Sequence, residues 1–177
     1  MNRAVIADTV CLALCLALCL AAVPASAQAD APIQDGQHLF QLTAAPDWTP
    51  AERPSDTLLA YRSPDGAATA AVIRIDLGRA GIRDQSAMIR QIVGGIERAT
   101  PRYRKVRERL RKVGAVPVFD LSYRRRDREE RDQQVYSRML LYRRHTVVLS
   151  IVVEAEAKRA VRTAAQTMLD SFTPYLP

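Results

Sequence analysis

All three cysteines of the chain, Cys11, Cys15 and Cys19, lie inside one apolar N-terminal run that closes on Ala25-Ser26-Ala27. Arg3 supplies a positive start, Thr9 to Val23 a middle rich in Leu and Ala, and Pro24 with the small-residue triplet an end. This is the three-part pattern of an export signal cut after Ala27. Removal of residues 1–27 leaves a polypeptide without a thiol. Such a product has no disulfide to staple it, no thiolate nucleophile and no cysteine metal ligand.

Alternatives to a cleaved leader meet physical objections. The apolar stretch is shorter than the ~20 residues that a membrane-spanning helix needs, and small residues rather than a basic stop follow it. Leu16-Ala17-Leu18-Cys19 has the outline of a lipidation site, but Leu18 stands where a small residue is normally required. Asp8, by contrast, is atypical of a signal start. The expectation is an exported protein, periplasmic or extracellular, with no transmembrane anchor after cleavage; lipidation at Cys19 is the weaker reading.

Residues 28–177 have the length of one domain and bury roughly two thirds of their unfolded surface on folding. Arg3 and Asp8 cancel, so the formal net charge of +7 passes unchanged to the mature part. Almost all of it is arginine, since the lysines are Lys105, Lys112 and Lys158 alone. An Arg- and Ala-heavy composition is first a coding bias. Beyond that, a basic balance suits anionic lipid or polyanionic envelope glycans, and export makes nucleic acid the least fitting partner.

Residues 28–37, composed mainly of Ala, Gln, Asp and Pro, carry no apolar period and read as a disordered lead-in to a single domain over 38–177. Leu39, Phe40 and Leu42 predict a short strand, and Trp48 after Pro46-Asp47 a core plug at its end. Residues 49–56 read as a loop. Thr57 to Arg62 and Ala67 to Asp76 form a hairpin about Ser63-Pro64-Asp65-Gly66, in which proline presets φ and glycine accepts a positive one. After a loop from Gly78 to Asp84, Ser86 is placed to cap a helix whose Met88, Ile89, Ile92, Val93 and Ile96 recur at three-and-four spacing. Gly94-Gly95 weakens this helix by about 1 kcal/mol per glycine unless the pair packs closely on a sheet. Thr100-Pro101 ends it.

Tyr103 to Val113 and Val116 to Arg126 form a long hairpin about Gly114-Ala115. A two-residue turn there sets Val113 opposite Val116 and puts Val106, Leu110, Phe119, Leu121 and Tyr123 on one face. Lys105, Arg107, Arg109, Arg111, Asp120, Ser122 and Arg124 then share the other. Glu108 falls on the apolar face, which fits only an edge strand whose carboxylate reaches solvent, or a different register. The charged run Arg124 to Asp132 reads as a solvated loop. Gln134 to Arg143 pairs with His145 to Glu154, whose apolar run Val147 to Val153 marks a strand covered on both faces, the centre of the sheet. A closing helix from Ala157 to Phe172 carries the stripe Val161, Ala164, Ala165, Met168, Leu169 and Phe172, and Pro174 terminates it. The order of elements predicts an α+β fold, an antiparallel sheet packed by two main helices.

The spacing from Phe40-Gln41-Leu42 through Pro46-Asp47-Trp48 to Leu169-Asp170-Ser171-Phe172-Thr173-Pro174 resembles the PsbP-like superfamily. That superfamily includes an extrinsic photosystem subunit, the bacterial DcrB-like envelope proteins and a yeast Ran-binding import factor. The resemblance spans nearly the whole mature chain and implies an α/β/α sandwich used as a binding or assembly module, generally without catalysis. It transfers no functional residue, because members bind unrelated partners through different surfaces.

The residues themselves carry little catalytic chemistry. The two histidines, His38 and His145, stand far apart with no metal-ligand spacing, and each reads as a surface or satisfied histidine. No nucleophile elbow, phosphate loop or dinucleotide fingerprint occurs. Glu154 and Glu156, at a strand-to-helix junction, favour the helix N-terminus rather than acid–base work. Glu129-Glu130 lies in the charged run, and Tyr61, Tyr103, Tyr123, Tyr136 and Tyr142 read as half-buried sheet residues. No catalytic, cofactor or metal residue is therefore assigned. The one surface singled out is Arg107, Arg109, Arg111 and Arg124, whose guanidinium groups at alternate strand positions suit bidentate capture of carboxylates or phosphates. The expected function is a non-enzymatic module for an envelope protein or anionic surface. The alternative is an envelope chaperone covering an apolar segment, which requires an exposed apolar patch of a few hundred Å².

Overall fold

The computed structural model describes residues 33–34, 39–77 and 84–175. The leader 1–27 with Cys19, the rest of the lead-in, His38 and positions 78–83 of the connecting loop lie outside the described residues.

In chain order the elements are β1 (Ile33–Gln34), β2 (Phe40–Leu42), β3 (Thr49–Pro50), β4 (Thr57–Arg62), β5 (Ala68–Asp76) and α1 (Gln85–Ala99). They continue with β6 (Arg104–Val113), β7 (Val116–Arg126), β8 (Asp132–Leu141), β9 (His145–Glu154), α2 (Arg159–Ser171) and β10 (Thr173–Pro174). A seven-stranded antiparallel sheet runs β3-β4-β5-β9-β8-β7-β6, and a small sheet runs β1-β2-β10.

β9 is the middle strand, which explains its double-sided apolar run. Val147, Leu149, Ile151 and Val153 point to one face, where Ala165, Met168 and Phe172 from the α2 end of the chain and Phe40, Leu42 and Trp48 cover them. Val148 and Val152 point to the other, joined there by Phe119, Leu121, Tyr123, Val135 and Met139 beneath Met88, Ile89, Ile92, Val93 and Ile96 of α1. Leu149 and Ile151 are fully buried, and each such side chain contributes roughly 1.5–3 kcal/mol. The result is the α/β/α sandwich expected.

The turn at Ser63–Gly66 forms as its chemistry dictates: the Gly66 amide donates to the Ser63 carbonyl at 2.9 Å, and Gly66 takes φ +73°. Several local expectations change. Ile33 and Gln34, inside the segment read as a lead-in, pair with Leu42 and Gln41. Thr49 and Pro50, read as loop, pair with Arg62 and Tyr61 at the sheet edge, where a proline is tolerated. Asp84 rather than Ser86 caps α1, accepting from the Ala87 amide at 3.0 Å; its negative charge also suits a helix N-terminus. Glu154, expected to serve the start of α2, instead pairs with Arg131 at 3.1 Å. Beyond α2, Thr173 and Pro174 form a strand on β2, so the chain's last described turn closes the small sheet. The charged run is organised rather than merely solvated: β7 and β8 take its two ends, and Asp127 gathers the residues between them into a tight loop.

Candidate basic binding face

The β6–β7 register follows from its turn. Gly114 adopts φ +58°, and Val113 faces Val116. Residues directly opposed in an antiparallel pair project from the same face. Arg111 opposes Val118, Arg109 opposes Asp120 and Arg107 opposes Ser122, so the three arginines share the α2 side of the sheet as expected. Arg124 joins them, opposite Arg104.

A bulge between Lys105 and Arg107 alters the composition of this face. Past it, Lys105 opposes Tyr123 on the α1 side, and Arg104 takes its place among the arginines. The correction has a simple cause: one inserted residue, Val106, inverts the alternation of everything before it. Lys105 then reaches Glu108 at 3.0 Å on the α1 side, and that bond raises the lysine's pKa. Glu108 is on an edge strand and about half exposed, which resolves its place on the apolar face.

The arginines differ in what they already hold. Arg111, half-buried, donates from Nε to Asp120 at 3.3 Å, and Arg124 donates from Nε to Gln134 Oε1 at 3.4 Å. Among the described residues the side chains of Arg104, Arg107 and Arg109 make neither an ion pair nor a hydrogen bond, and all three residues are exposed. Asp120, the sole acid within this stripe, turns from Arg109 toward Arg111 and toward Arg138 at 2.6 Å. Arg104 against Arg124 is a like-charge cross-strand pair, unfavourable without an anion between them.

Arg138 is the residue that sequence reasoning missed. It is 5% exposed on β8, on the same face as Asp120, and donates to the Leu169 carbonyl at 2.6 Å. Elsewhere, His145 stacks on Tyr142 with ring centroids 4.9 Å apart, and Tyr103 lies on Tyr123 at 5.1 Å. Tyr61 and Tyr123, expected to be half-buried, are buried; burial raises the Tyr61 pKa despite the opposing charge of Arg53. Among the described residues no three His, Cys, Asp or Glu side chains gather as a metal site would require. No helix there is long and apolar enough to cross a membrane.

No family model and no curated protein matches the sequence. Solved structures do. LpqN, involved in cell envelope biogenesis of Mycobacterium tuberculosis, matches with a TM-score of 0.58 at 13% identity, covering 82% of this chain and 90% of its own. Cyanobacterial PsbP from Synechocystis sp. PCC 6803 matches at 0.59 and 11% identity, covering 88% and 99%. The Saccharomyces cerevisiae Ran-binding protein Mog1p matches at 0.54 and 12% identity, covering 81% and 94%. The chain therefore has the fold shared by PsbP and Mog1p, as its motif spacing implied. At these identities the likeness is one of fold.

Proposed function

We propose that the chain is an exported, non-enzymatic binding or assembly module that holds an anionic partner on Arg107, Arg109, Arg111 and Arg124, with Arg104 beside them. One observation carries this reading: Arg107 and Arg109 stand exposed at alternate positions of one sheet face, free of ion pairs among the described residues, while the nearby Asp120 is committed to Arg111 and Arg138. Guanidinium groups so spaced match carboxylates or phosphates bidentately. Export rests on the N-terminal pattern, and the envelope role of LpqN is compatible with it.

Heparin chromatography tests the face. The protein is retained, and Arg107→Ser, Arg109→Ser and Arg111→Ser together bring elution to markedly lower salt; unchanged elution rejects the site. The chaperone reading has less support, because among the described residues the exposed large hydrophobics are Val106 and Leu110, two side chains on one strand.

A further inference from the structure

The basic face lies on a strand whose other edge is open. β6 ends the sheet order, and among the described residues no backbone hydrogen bond reaches it from the side away from β7. Every residue from Arg104 to Leu110 is exposed, and Arg111 and Val113 are partly so; among the described residues no helix or loop covers Arg104 to Leu110. The bulge interrupts regular pairing at Val106, which leaves Arg107 to Val113 as a continuous seven-residue ladder.

We propose that this free edge, from Arg107 to Val113, takes an extended acidic segment of a partner protein as an eighth strand. The proposal rests on the reading of the basic face and names its partner's chemistry. Exposed sheet edges recruit strands through main-chain hydrogen bonds, and alternate side chains set which strand is accepted. On the α2 side the incoming strand meets Arg107, Arg109 and Arg111, which call for acids at alternate positions. On the α1 side it meets Leu110, 47% exposed, which calls for an apolar residue between those acids.

Charge also decides against a second copy. β6 carries six basic residues against the single acid Glu108, and that acid is held by Lys105. Edge-to-edge pairing of two such strands opposes cation to cation. A charged, bulged edge is how proteins avoid self-association. Here the same charge attracts a strand of opposite sign.

The probe is a capped seven-residue peptide alternating Glu and Val, compared with one of equal charge whose central valine is proline. With the purified protein, the alternating peptide is expected to bind and to slow amide hydrogen exchange on β6 at least tenfold, and the proline peptide to bind at least tenfold more weakly. Equal binding of both peptides, or binding without slowed exchange, means capture by charge alone; the edge proposal then falls and the basic face stands. Retention on heparin with no peptide binding has the same meaning, whereas loss of both removes face and edge together. β6 amides that become protected by self-association at high protein concentration also overturn the proposal.

Discussion

Arg138 and Asp120 stand directly opposite each other on β8 and β7, and the guanidinium Nε donates to the carboxylate Oδ1 at 2.6 Å. From the same guanidinium, Nη1 donates to the Leu169 carbonyl at 2.6 Å and, more weakly, to that of Phe172 at 3.4 Å. These carbonyls belong to the end of α2, where a helix leaves its acceptors unsatisfied and partly negative. Arg138 thus fastens the helix to the sheet. Asp120 makes this tolerable by neutralising a charge that is almost fully buried, and through Arg111 it links this strut to the basic face.

Removing the acid leaves the buried cation with only the longer contact from its Nη2 to the more exposed Asp170, at 3.4 Å. Asp120→Ala is expected to cost about 2–4 kcal/mol, toward the low end for a buried pair because Asp120 keeps some contact with water. Replacing both partners, Asp120→Leu with Arg138→Met, recovers much of that loss, since the buried cation is removed with its acid and only the partly exposed Arg111 loses a partner. Urea denaturation measures both. An Asp120→Ala protein within about 0.5 kcal/mol of the parent, the usual range for surface substitutions, contradicts this account.

Much of this fold was legible because its signals are local. Val113 facing Val116 follows from two turn residues, and the α1 stripe Met88 to Ile96 from its period. What was not legible depends on distance or on a single irregularity. Ile33 and Thr173 join β2 in two-residue strands too short to show any alternation, the latter across 132 residues between Gln41 and Thr173. Arg138 finds its partners 18 and 31 positions away, so nothing beside it in the chain announces its burial. Within the candidate site, the pairing register sets Arg107, Arg109, Arg111 and Arg124 on one face, whereas Lys105 was exchanged for Arg104 by one bulged residue that no pattern marks.

Trp48 is the sole tryptophan and is 7% exposed within the cluster that α2 covers. Trp48→Ala is expected to cost about 3–5 kcal/mol, the range for truncating a buried large aromatic. Fluorescence of the parent checks the burial independently: emission is blue-shifted in the folded protein and moves to the red through the urea transition. Emission at the wavelength of a solvated indole before denaturant is added counts against the placement.

Gly95 lies inside α1, and a methyl group built there meets nothing within 4 Å. The close packing that would justify a helix glycine is therefore absent at this position. Gly95→Ala is expected to stabilise the protein by about 0.5–1 kcal/mol through helix propensity and a less flexible unfolded chain. At Gly94 the new methyl meets Arg98 Nη1 at 3.3 Å, the movable end of a long side chain, so its gain is smaller. Thermal denaturation ranks the two variants, and a lowered midpoint for Gly95→Ala refutes the argument.

Asp127 organises the β7–β8 loop: Oδ1 accepts from the amides of Glu129 and Arg131, each at 2.9 Å, and Oδ2 from Arg131 Nε at 2.8 Å. Partial burial raises its pKa, but the bonds from Arg131 and Glu129 together outweigh that and hold it below the ordinary carboxylate value. A carboxyl depressed in the folded state stabilises fully above the unfolded value, about 3.9, and loses its contribution as pH falls through the folded value. Asp65 is lowered in the same direction by the Ala67 amide and the Ser63 hydroxyl. In Asp127→Asn the charged acceptor is gone at every pH. The parent is thus expected to exceed Asp127→Asn in urea midpoint at pH 6, with the two converging as pH drops toward about 2.5, below the range in which an ordinary aspartate titrates. A gap of constant size across that interval would show that the loop draws nothing from the ionised form.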